Sequence, residues 1–331
     1  MDHFLSLIIT LVFCCLTKAD NKMNFVMLGD WGGQDEAPYY TPAQKEVATQ
    51  MGRKAAETNS TFTIALGDNF YHYGVKDVDD PRFKETFERV FTAGSLQSRW
   101  YVIAGNHDHY GNASAEIAYT ACSHRWYMPN YYYTETMTIP GTHTEIQFIF
   151  IDTVILAGNT HPTKTWLPPP GPESVNAAED QWEWIEETLA ASKADWLFVL
   201  GHYPVWSVAL HGPTDVLVQR LRPLLMQYDV TAYFCGHDHN TQHIREENST
   251  VEYVLTGAAH MTGISVEHAD SIPANSLQYY YALNDTTGTY GAFTWVSISP
   301  TVMEVVYIDG KGNELYSFQK EQTRQKYRDS N

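Results

Sequence analysis

The sequence predicts an α/β fold in which strands and helices alternate and pack in layers. Five short apolar runs have the length of a buried strand, and helical patterns lie between several of them. Each of the five runs is followed by glycine and then by Asp, Asn or His. The chain has 331 residues, of which 44% are hydrophobic and 14% aromatic, so it can form a large core and is not a disordered protein.

The five strand ends place metal-binding residue types directly after a glycine. The five units are 25–28 before Gly29-Asp30, 62–66 before Gly67-Asp68, 101–104 before Gly105-Asn106-His107, 196–200 before Gly201-His202, and 231–235 before Gly236-His237-Asp238-His239. Glycine permits a sharp turn or a close backbone approach at each end. Ligands of open α/β sheets bind at the carboxyl ends of the strands, so we expect these polar side chains to meet at one place.

Three segments between the strands have helical patterns. In 177–191 the apolar residues fall on one helical face, and Asn176 starts a capping-box-like pattern with Glu179. The other two helix candidates are 42–57 and 214–227. Their alternation with the strands is what predicts the layered α/β class.

The last third of the chain has a different pattern. Segments 252–255, 290–298 and 302–308 look like strands joined by turns, and we expect them to extend a sheet in antiparallel fashion. Segment 158–174 contains five prolines and little periodicity, which predicts a long exposed loop. No linker or internal repeat divides the chain, so we expect one domain over 20–331.

The N-terminal segment 1–19 reads as a secretory signal peptide, because an almost wholly apolar run precedes small residues suited to signal peptidase. Four Asn-x-Ser/Thr sequons support export and are candidate glycosylation sites: Asn59, Asn112, Asn248 and Asn284. No later segment has the length of a membrane span. We therefore expect a secreted or lysosomal protein that leaves the membrane once the signal is removed, and we expect a monomer.

Charge and cysteine content exclude two broad classes. The chain has 21 Lys and Arg against 39 Asp and Glu, a formal net charge of −18, which disfavours nucleic acid as a partner. Once the signal peptide is removed, only Cys122 and Cys235 remain, so the protein is not a disulfide scaffold. A bridge between these two stays open, and we expect two buried free thiols.

The candidate metal ligands are too many for one catalytic ion with an open position. They are Asp30, Asp68, Tyr71, Asn106, His202, His237 and His239. A single Asp or His at a strand end is more often a cap or a turn residue, but five such units are hard to explain as turns alone. Carboxylates, imidazoles and an amide suit two first-row metal ions that share a bridging carboxylate.

These motifs carry a family resemblance. Gly29-Asp30-Trp31-Gly32-Gly33, Gly67-Asp68-Asn69-Phe70-Tyr71, Gly105-Asn106-His107-Asp108-His109, Gly201-His202-Tyr203-Pro204 and Gly236-His237-Asp238-His239 resemble the calcineurin-like metallophosphoesterases. Tyr71 resembles the tyrosine of the animal-type purple acid phosphatases within that superfamily. The resemblance implies a four-layer α/β/β/α sandwich with mixed sheets and an Fe(III)–M(II) centre, in which the second ion is Fe(II), Zn or Mn.

The resemblance also implies a role for each ligand. Asp30, Asp68, Tyr71 and His239 would hold the ferric ion, whereas Asp68, Asn106, His202 and His237 would hold the divalent ion, with Asp68 bridging. A ferric ion prefers anionic oxygen and makes bound water acidic, so hydroxide exists even at low pH. We therefore expect an acid phosphatase in which this hydroxide attacks a phosphate monoester, either a small ester or a phosphoprotein.

Further residues follow the family pattern or depart from it. His107 and His211 resemble histidines that bind phosphate or protonate the leaving alcohol, so both are candidate catalytic residues. His109 and Asp238 are candidates for orienting the ligand histidines. The family's disulfide partners would fall at Ala157 and Val216, so that bridge is absent. In the family, the loop corresponding to 158–174 is protease-sensitive and lies over the active site.

Three alternatives stay open at this stage. The first is another metallophosphoesterase, a phosphodiesterase or nucleotidase, against which Tyr71 argues. The second is an iron-dependent redox role that generates reactive oxygen species. The third is a binding protein that has kept the fold without catalysis, against which the complete ligand set argues.

Overall fold

The computed structural model describes residues 21–164, 166–281 and 290–324. The segment 1–19 and the sequon at Asn284 lie outside the described residues. The strands are β1 (Met23–Leu28), β2 (Phe62–Leu66), β3 (Trp100–Ile103), β4 (Trp126–Tyr127), β5 (Tyr133–Thr138), β6 (Glu145–Phe150), β7 (Trp196–Leu200), β8 (Ala232–Cys235), β9 (Thr241–Ile244), β10 (Glu252–Thr256), β11 (Leu277–Tyr280), β12 (Ala292–Ile298), β13 (Val302–Asp309) and β14 (Glu314–Glu321). The α-helices are α1 (Pro42–Thr58), α2 (Asn106–Tyr110), α3 (Ala113–Tyr119), α4 (Thr153–Ala157), α5 (Val175–Ala191) and α6 (Arg222–Gln227).

The strands form two seven-stranded mixed sheets. The first has the order β14-β13-β12-β1-β2-β3-β4, with β1 to β4 parallel and β12 to β14 antiparallel. The second has the order β11-β9-β10-β8-β7-β6-β5, with a parallel centre and antiparallel edges. In the first sheet the parallel strands extend from the centre to the β4 edge, whereas in the second they lie at the centre. Strands β1 to β3, β7, β8 and β10 are almost wholly buried, as strands covered on both faces are expected to be.

Alternate residues along the central strands point to different cores, because the side-chain period of a strand is two. In β1, Phe25 and Met27 join the core between the two sheets, whereas Val26 joins the core beneath α1. In β7, Phe198 faces the core between the sheets and Val199 faces the core beneath α5. Three cores separate four layers, so the predicted α/β/β/α sandwich is confirmed.

The predicted elements match the structure in type more closely than in bounds. The five ligand-bearing strands and the first two helix candidates are present, although α5 begins at Val175 and is capped by Ser174 rather than Asn176. Segment 214–227 divides into a short π-helical stretch, Leu217–Leu221, and α6. A proline in the first turn of α6 suits a helix start there.

The C-terminal third is only partly as expected. Strands β12 and β13 do extend the first sheet in antiparallel fashion, and β14 adds a further edge strand beyond β13. Strand β10 lies instead in the second sheet and pairs in parallel with β8, so its predicted antiparallel role is wrong on that side. The edge strands β5 and β14 were missed because they alternate polar and half-buried residues.

The cysteines and the proline-rich loop can be compared with the predictions. Neither cysteine of the described residues forms a disulfide, and Cys235 is buried, but Cys122 is exposed, so the expectation of two buried thiols is wrong for Cys122. Residues 161–164 and 166–174 are largely exposed, as predicted for the proline-rich loop.

None of the helices among the described residues combines the length and apolar character that crossing a membrane requires.

The core between the sheets predicts a large mutational effect. Phe198 is fully buried, and its ring lies 5.4 Å from that of Phe148 and 5.5 Å from that of Phe234. We expect Phe198→Ala to lower the free energy of unfolding by about 3–5 kcal/mol, because it leaves a cavity between the sheets. Urea denaturation measures this loss. The control Leu277→Ala, at an exposed position, should change stability by about 0.5 kcal/mol or less; equal losses would contradict the assignment of this core.

Candidate metal centre

The carboxyl ends of five central strands meet between the two sheets. Asp30 follows β1, Asp68 and Tyr71 follow β2, Asn106 follows β3, His202 follows β7, and His237 and His239 follow β8. Hydrogen-bond and ring contacts link all seven side chains into one cluster. The predicted convergence is therefore confirmed, whereas the role of the seven as metal ligands stays a prediction.

Two of the strand-end glycines show why no side chain fits there. A Cβ at Gly105 would lie 2.3 Å from Asp68 Oδ1, and a Cβ at Gly236 would lie 2.4 Å from Asp30 Oδ2. Asp30 and Asp68 themselves have φ values of 56° and 52°, in the left-handed region that Asp tolerates better than most residues. The backbone thus brings two buried carboxylates close to neighbouring strand ends, at some cost in strain.

Three acceptor atoms converge on the hydroxyl oxygen of Tyr71. It lies 3.0 Å from Asp30 Oδ1, 3.1 Å from Asp68 Oδ2 and 3.0 Å from His239 Nε2. A phenol has one proton and can donate to only one of these atoms at a time. A cation among the four atoms would be stabilised by all of them, so this donor set fits a hard, highly charged metal ion.

A second group surrounds His202. Its Nδ1–H donates to the carbonyl oxygen of Leu66 at 2.9 Å, which leaves the Nε2 lone pair directed to the opposite side. There Nε2 lies 3.0 Å from Asn106 Oδ1 and 3.4 Å from Asp68 Oδ1. Asp68, His202 and His237 each offer a ligand atom within 4.8 Å of the others.

Positive charge beside Nε2 of His202 is electrostatically favourable. Burial works against a charged imidazole, but the carboxylates of Asp68 and Asp30 outweigh it and raise the pKa of His202 to about 9. A divalent cation at the same place would satisfy the lone pairs without protonating the ring. Burial lowers the pKa of His237 and of His239, which leaves both rings neutral, as ligands must be.

Asp68 belongs to both groups. Its Oδ2 faces Tyr71, and its Oδ1 faces His202 and accepts the backbone N–H of His107 at 3.0 Å. Burial opposes ionisation, but His202 and His107 hold the pKa of this carboxyl well below its usual range. One ionised carboxylate therefore offers an oxygen to each group, which is the geometry expected of a bridging ligand.

Asp108 is a site residue that the sequence reading missed. Its carboxylate accepts the backbone N–H groups of Gly105 at 2.7 Å, Asn69 at 2.9 Å and Phe70 at 3.1 Å. It thus fastens the loop after β2 to the loop after β3. The available signal was an acidic residue two positions after Asn106 with no separate role assigned to it.

The two candidate catalytic histidines lie beside the cluster. The His107 ring is 4.6 Å from the Tyr71 ring, and its Nδ1–H donates to the carbonyl oxygen of His72 at 2.8 Å. The His211 ring lies 4.0 Å from the His237 ring, and its Nδ1–H donates to Asp238 Oδ1 at 2.8 Å. The structure thus places both next to ligand candidates.

The two predicted orienting residues have other partners. Asp238 fixes His211, not a ligand histidine, and its second oxygen accepts the hydroxyl of Ser207 at 2.5 Å. His109 pairs with Asp152 at 2.7 Å. The expectation that these two orient ligand histidines is therefore wrong, because the carbonyl of Leu66 does so for His202.

His260 lies outside the five strand-end motifs, yet it is buried against the site. Its backbone N–H and its Nδ1–H both donate to the carbonyl oxygen of Asp30 at 3.0 Å. Its ring lies 4.2 Å from the Tyr71 ring and 5.1 Å from the His239 ring. It therefore packs against two ligand candidates from one side.

The base of the proline-rich loop contacts Asn106. The amide nitrogen of Asn106 donates to Thr160 Oγ1 at 3.1 Å, and the amide of Asn159 donates to the Asn106 carbonyl at 3.2 Å. These bonds turn Asn106 Oδ1 toward His202. Elsewhere on the surface, the sequons Asn59, Asn112 and Asn248 are exposed, and their glycosylation stays a prediction.

Comparison with known protein families identifies the superfamily. Residues 23–241 match the family described as calcineurin-like phosphoesterase, which covers most of the chain and includes all seven candidate ligands. The chain belongs to this family. The resemblance inferred from the motifs is thereby confirmed.

Individual proteins within and beyond this family resemble the chain over most of its length. This calcineurin-like phosphoesterase is 44% identical over 301 residues to tartrate-resistant acid phosphatase type 5 of Mus musculus, covering 91% of this chain and 90% of that one. It is 42% identical to the Homo sapiens protein of the same name, covering 96% and 97% of the two chains. The solved structure of GAP50, described as the anchor in the inner membrane complex of Plasmodium, has a TM-score of 0.76 over 92% of this chain and 90% of its own. At 24% identity it supports the fold alone.

The position of Asp108 predicts how metal affinity responds to its loss. We expect Asp108→Asn to weaken metal binding about 10–100-fold, because an amide replaces one of the oxygens that hold the two ligand loops together. Competition with a chelator, followed by metal analysis, measures the change. Asp180→Asn, at an exposed position on α5, is the matched control. Unchanged affinity in Asp108→Asn would show that the two loops are held independently of this carboxylate.

Proposed function

We propose that the protein is a secreted or lysosomal acid phosphatase that hydrolyses phosphate monoesters at an Fe(III)–M(II) centre. The observation that carries the proposal is the Asp68 carboxylate, which offers one oxygen to the Tyr71 group and the other to the His202 group. The relatives named as acid phosphatases and the phosphoesterase family support the same reaction class.

The two groups differ in a way that suits two different ions. Asp30, Asp68 and Tyr71 contribute anionic oxygens, which suits Fe(III), together with His239. The group of Asn106, His202 and His237 is mostly neutral, which suits Fe(II), Zn(II) or Mn(II). When bound, the pair of ions would supply Lewis acidity, lowering the pKa of water and neutralising phosphate oxygens.

The chain's own residues would bind the ester and move a proton. Asp238 accepts from Nδ1–H of His211, which fixes the tautomer and leaves Nε2 free to carry a second proton. The charged imidazole can then contact a phosphate oxygen or give its proton to the leaving alcohol. His107 would support the phosphate from the Tyr71 side, where its ring lies.

We infer a signal peptide at 1–19, a single metallophosphoesterase domain over 20–331, glycosylation at one or more sequons, and a monomer. The net charge of −18 argues against nucleic acid as a substrate or partner. Export is supported by the sequons and by the apolar N-terminal run.

Metal analysis and a visible spectrum test the proposal directly. We expect two metal ions per chain, at least one of them iron, and a visible charge-transfer band that disappears in Tyr71→Phe. An aryl phosphate should be hydrolysed fastest at acidic pH, and removing the metals with a chelator should abolish turnover. A colourless protein that contains only zinc or manganese and cleaves phosphodiesters would favour the alternative metallophosphoesterase instead.

His211 predicts a kinetic effect without loss of metal. We expect His211→Asn to lower kcat about 10²–10⁴-fold for an ester with a poor leaving group, because the proton donor is gone. The loss should be smaller for an activated aryl ester, whose leaving group needs no proton. His143→Asn, at an exposed position between β5 and β6, is the control. Equal losses for both esters would contradict a proton-donating role.

A further inference from the structure

The segment 205–213, which carries His211, lies outside the helices and strands of the structure. Its conformation therefore depends on bonds other than those of a helix or a sheet. Three of its backbone N–H groups donate to buried side chains. These bonds run from Val208 to Gln242 Oε1 at 3.0 Å, from Ala209 to Ser207 Oγ at 3.1 Å, and from His211 to Asp238 Oδ1 at 3.0 Å. The shape of the loop is thus set by three side chains, which are also bonded to one another.

Gln242 is held in place by both sheets. It is fully buried in β9, where it pairs with Leu255 of β10 and Tyr280 of β11. Its backbone carbonyl also accepts the hydroxyl of Tyr307, which reaches it from β13 of the first sheet at 2.5 Å. A side chain on such a strand is a firmer support than one on a loop.

The side-chain amide of Gln242 has one favourable orientation. Its Nε2 donates to Ser207 Oγ at 2.8 Å and to Asn240 Oδ1 at 2.8 Å, while its Oε1 accepts the backbone N–H of Val208. Both hydrogens of the amide nitrogen are therefore used. Turning the amide over would place its nitrogen against the N–H of Val208 and its oxygen against Asn240 Oδ1, so all three bonds would be lost or weakened.

These bonds also decide where the Ser207 hydroxyl points. Its oxygen accepts two N–H groups, from the Gln242 amide and from the backbone of Ala209, which occupies both lone pairs. The single hydroxyl proton is left to donate, and it donates to Asp238 Oδ2 at 2.5 Å. Ser207 is fully buried, so water does not compete for this proton.

Asp238 connects Ser207 to His211. One carboxylate oxygen accepts the hydroxyl of Ser207, and the other accepts both the backbone N–H and the Nδ1–H of His211. Donors on both oxygens prevent the carboxylate from turning about its Cβ–Cγ bond. Without the Ser207 hydroxyl, one oxygen would lose its partner, and the imidazole would be held less firmly beside the His237 ring, which lies 4.0 Å away.

We propose that Ser207 and Gln242 are positioning residues for His211, because together they fix the carboxylate that orients its imidazole. This inference rests on the proposed phosphatase function, in which His211 protonates the leaving alcohol. Both residues act through Asp238, so their loss should impair proton donation rather than metal binding. Displacing a reacting group by about 1 Å can cost about 100-fold in rate, which makes such support measurable.

Ser207→Ala tests the proposal with two esters. For an alkyl phosphate, whose leaving group needs a proton, we expect kcat to fall about 10–100-fold because the imidazole is misplaced. For an activated aryl phosphate, kcat should change little. The matched control is Ser276→Ala, since Ser276 is likewise buried and its hydroxyl donates to the Pro273 carbonyl at 2.6 Å. Equal losses for the two esters, or an equal loss in the control, would overturn the inference.

A double-mutant cycle shows whether Ser207 acts through His211. In the His211→Asn background, Ser207→Ala should lower kcat no further, because the side chain that it positions is gone. An additive loss would overturn the inference. Gln242→Met should reproduce the leaving-group dependence of Ser207→Ala. Its control is Gln44→Met, since Gln44 is also buried and its amide donates to the Thr86 carbonyl at 3.1 Å.

Hydrogen exchange followed by mass spectrometry provides a measurement that does not depend on activity. The N–H groups of Val208 and Ala209 donate to Gln242 and Ser207, so Gln242→Met and Ser207→Ala should both speed exchange in 205–213. Metal content should stay at the native level. Unchanged exchange in both variants, or loss of metal from both, would overturn the inference while leaving the phosphatase function intact. If the native protein hydrolyses neither ester, the proposed function fails and this inference with it.

Discussion

The Asp68 carboxylate imposes the constraint on which the rest of the site depends. It is buried and ionised, and its two oxygens face the hydroxyl of Tyr71 on one side and the ring of His202 on the other. Burying such a charge without compensation is costly. Hydrogen bonds from Tyr71 and from the backbone of His107 offset part of this cost, and positive charge nearby, from a proton on His202 or from metal ions, offsets more of it.

The packing between the two sheets sets the geometry of this cluster. Asp30, Asp68, Tyr71 and Asn106 come from the first sheet, whereas the three histidines come from the second. The distances between the two halves are thus fixed by the aromatic core around Phe198, since that core sets the separation of the sheets. Asp108 acts within the first half, where it holds two neighbouring loops in register.

The strand-end motifs, which recur five times, could be predicted from the sequence. Features that occur only once, such as the contacts of Asp108, could not. Five strand-Gly-ligand units could be recognised because each combines a buried strand with a polar residue at its end. The role of Asp108 depends on three backbone N–H groups from two loops, which no local pattern reveals. Strand β14 was not predicted because an edge strand with one exposed face lacks a continuous apolar run. Likewise, the exposure of Cys122 follows from tertiary packing, not from residue type.

The net negative charge of the protein and the needs of its buried cluster act at different distances. The ligand cluster is stabilised by cations within a few ångströms, and those cations would hold a phosphate group at contact distance. The charges that give the protein its formal net charge of −18 act largely through solvent, where salt screens them. An acidic protein could therefore still bind a phosphate ester, because the attraction at contact distance is screened far less than the repulsion at long range.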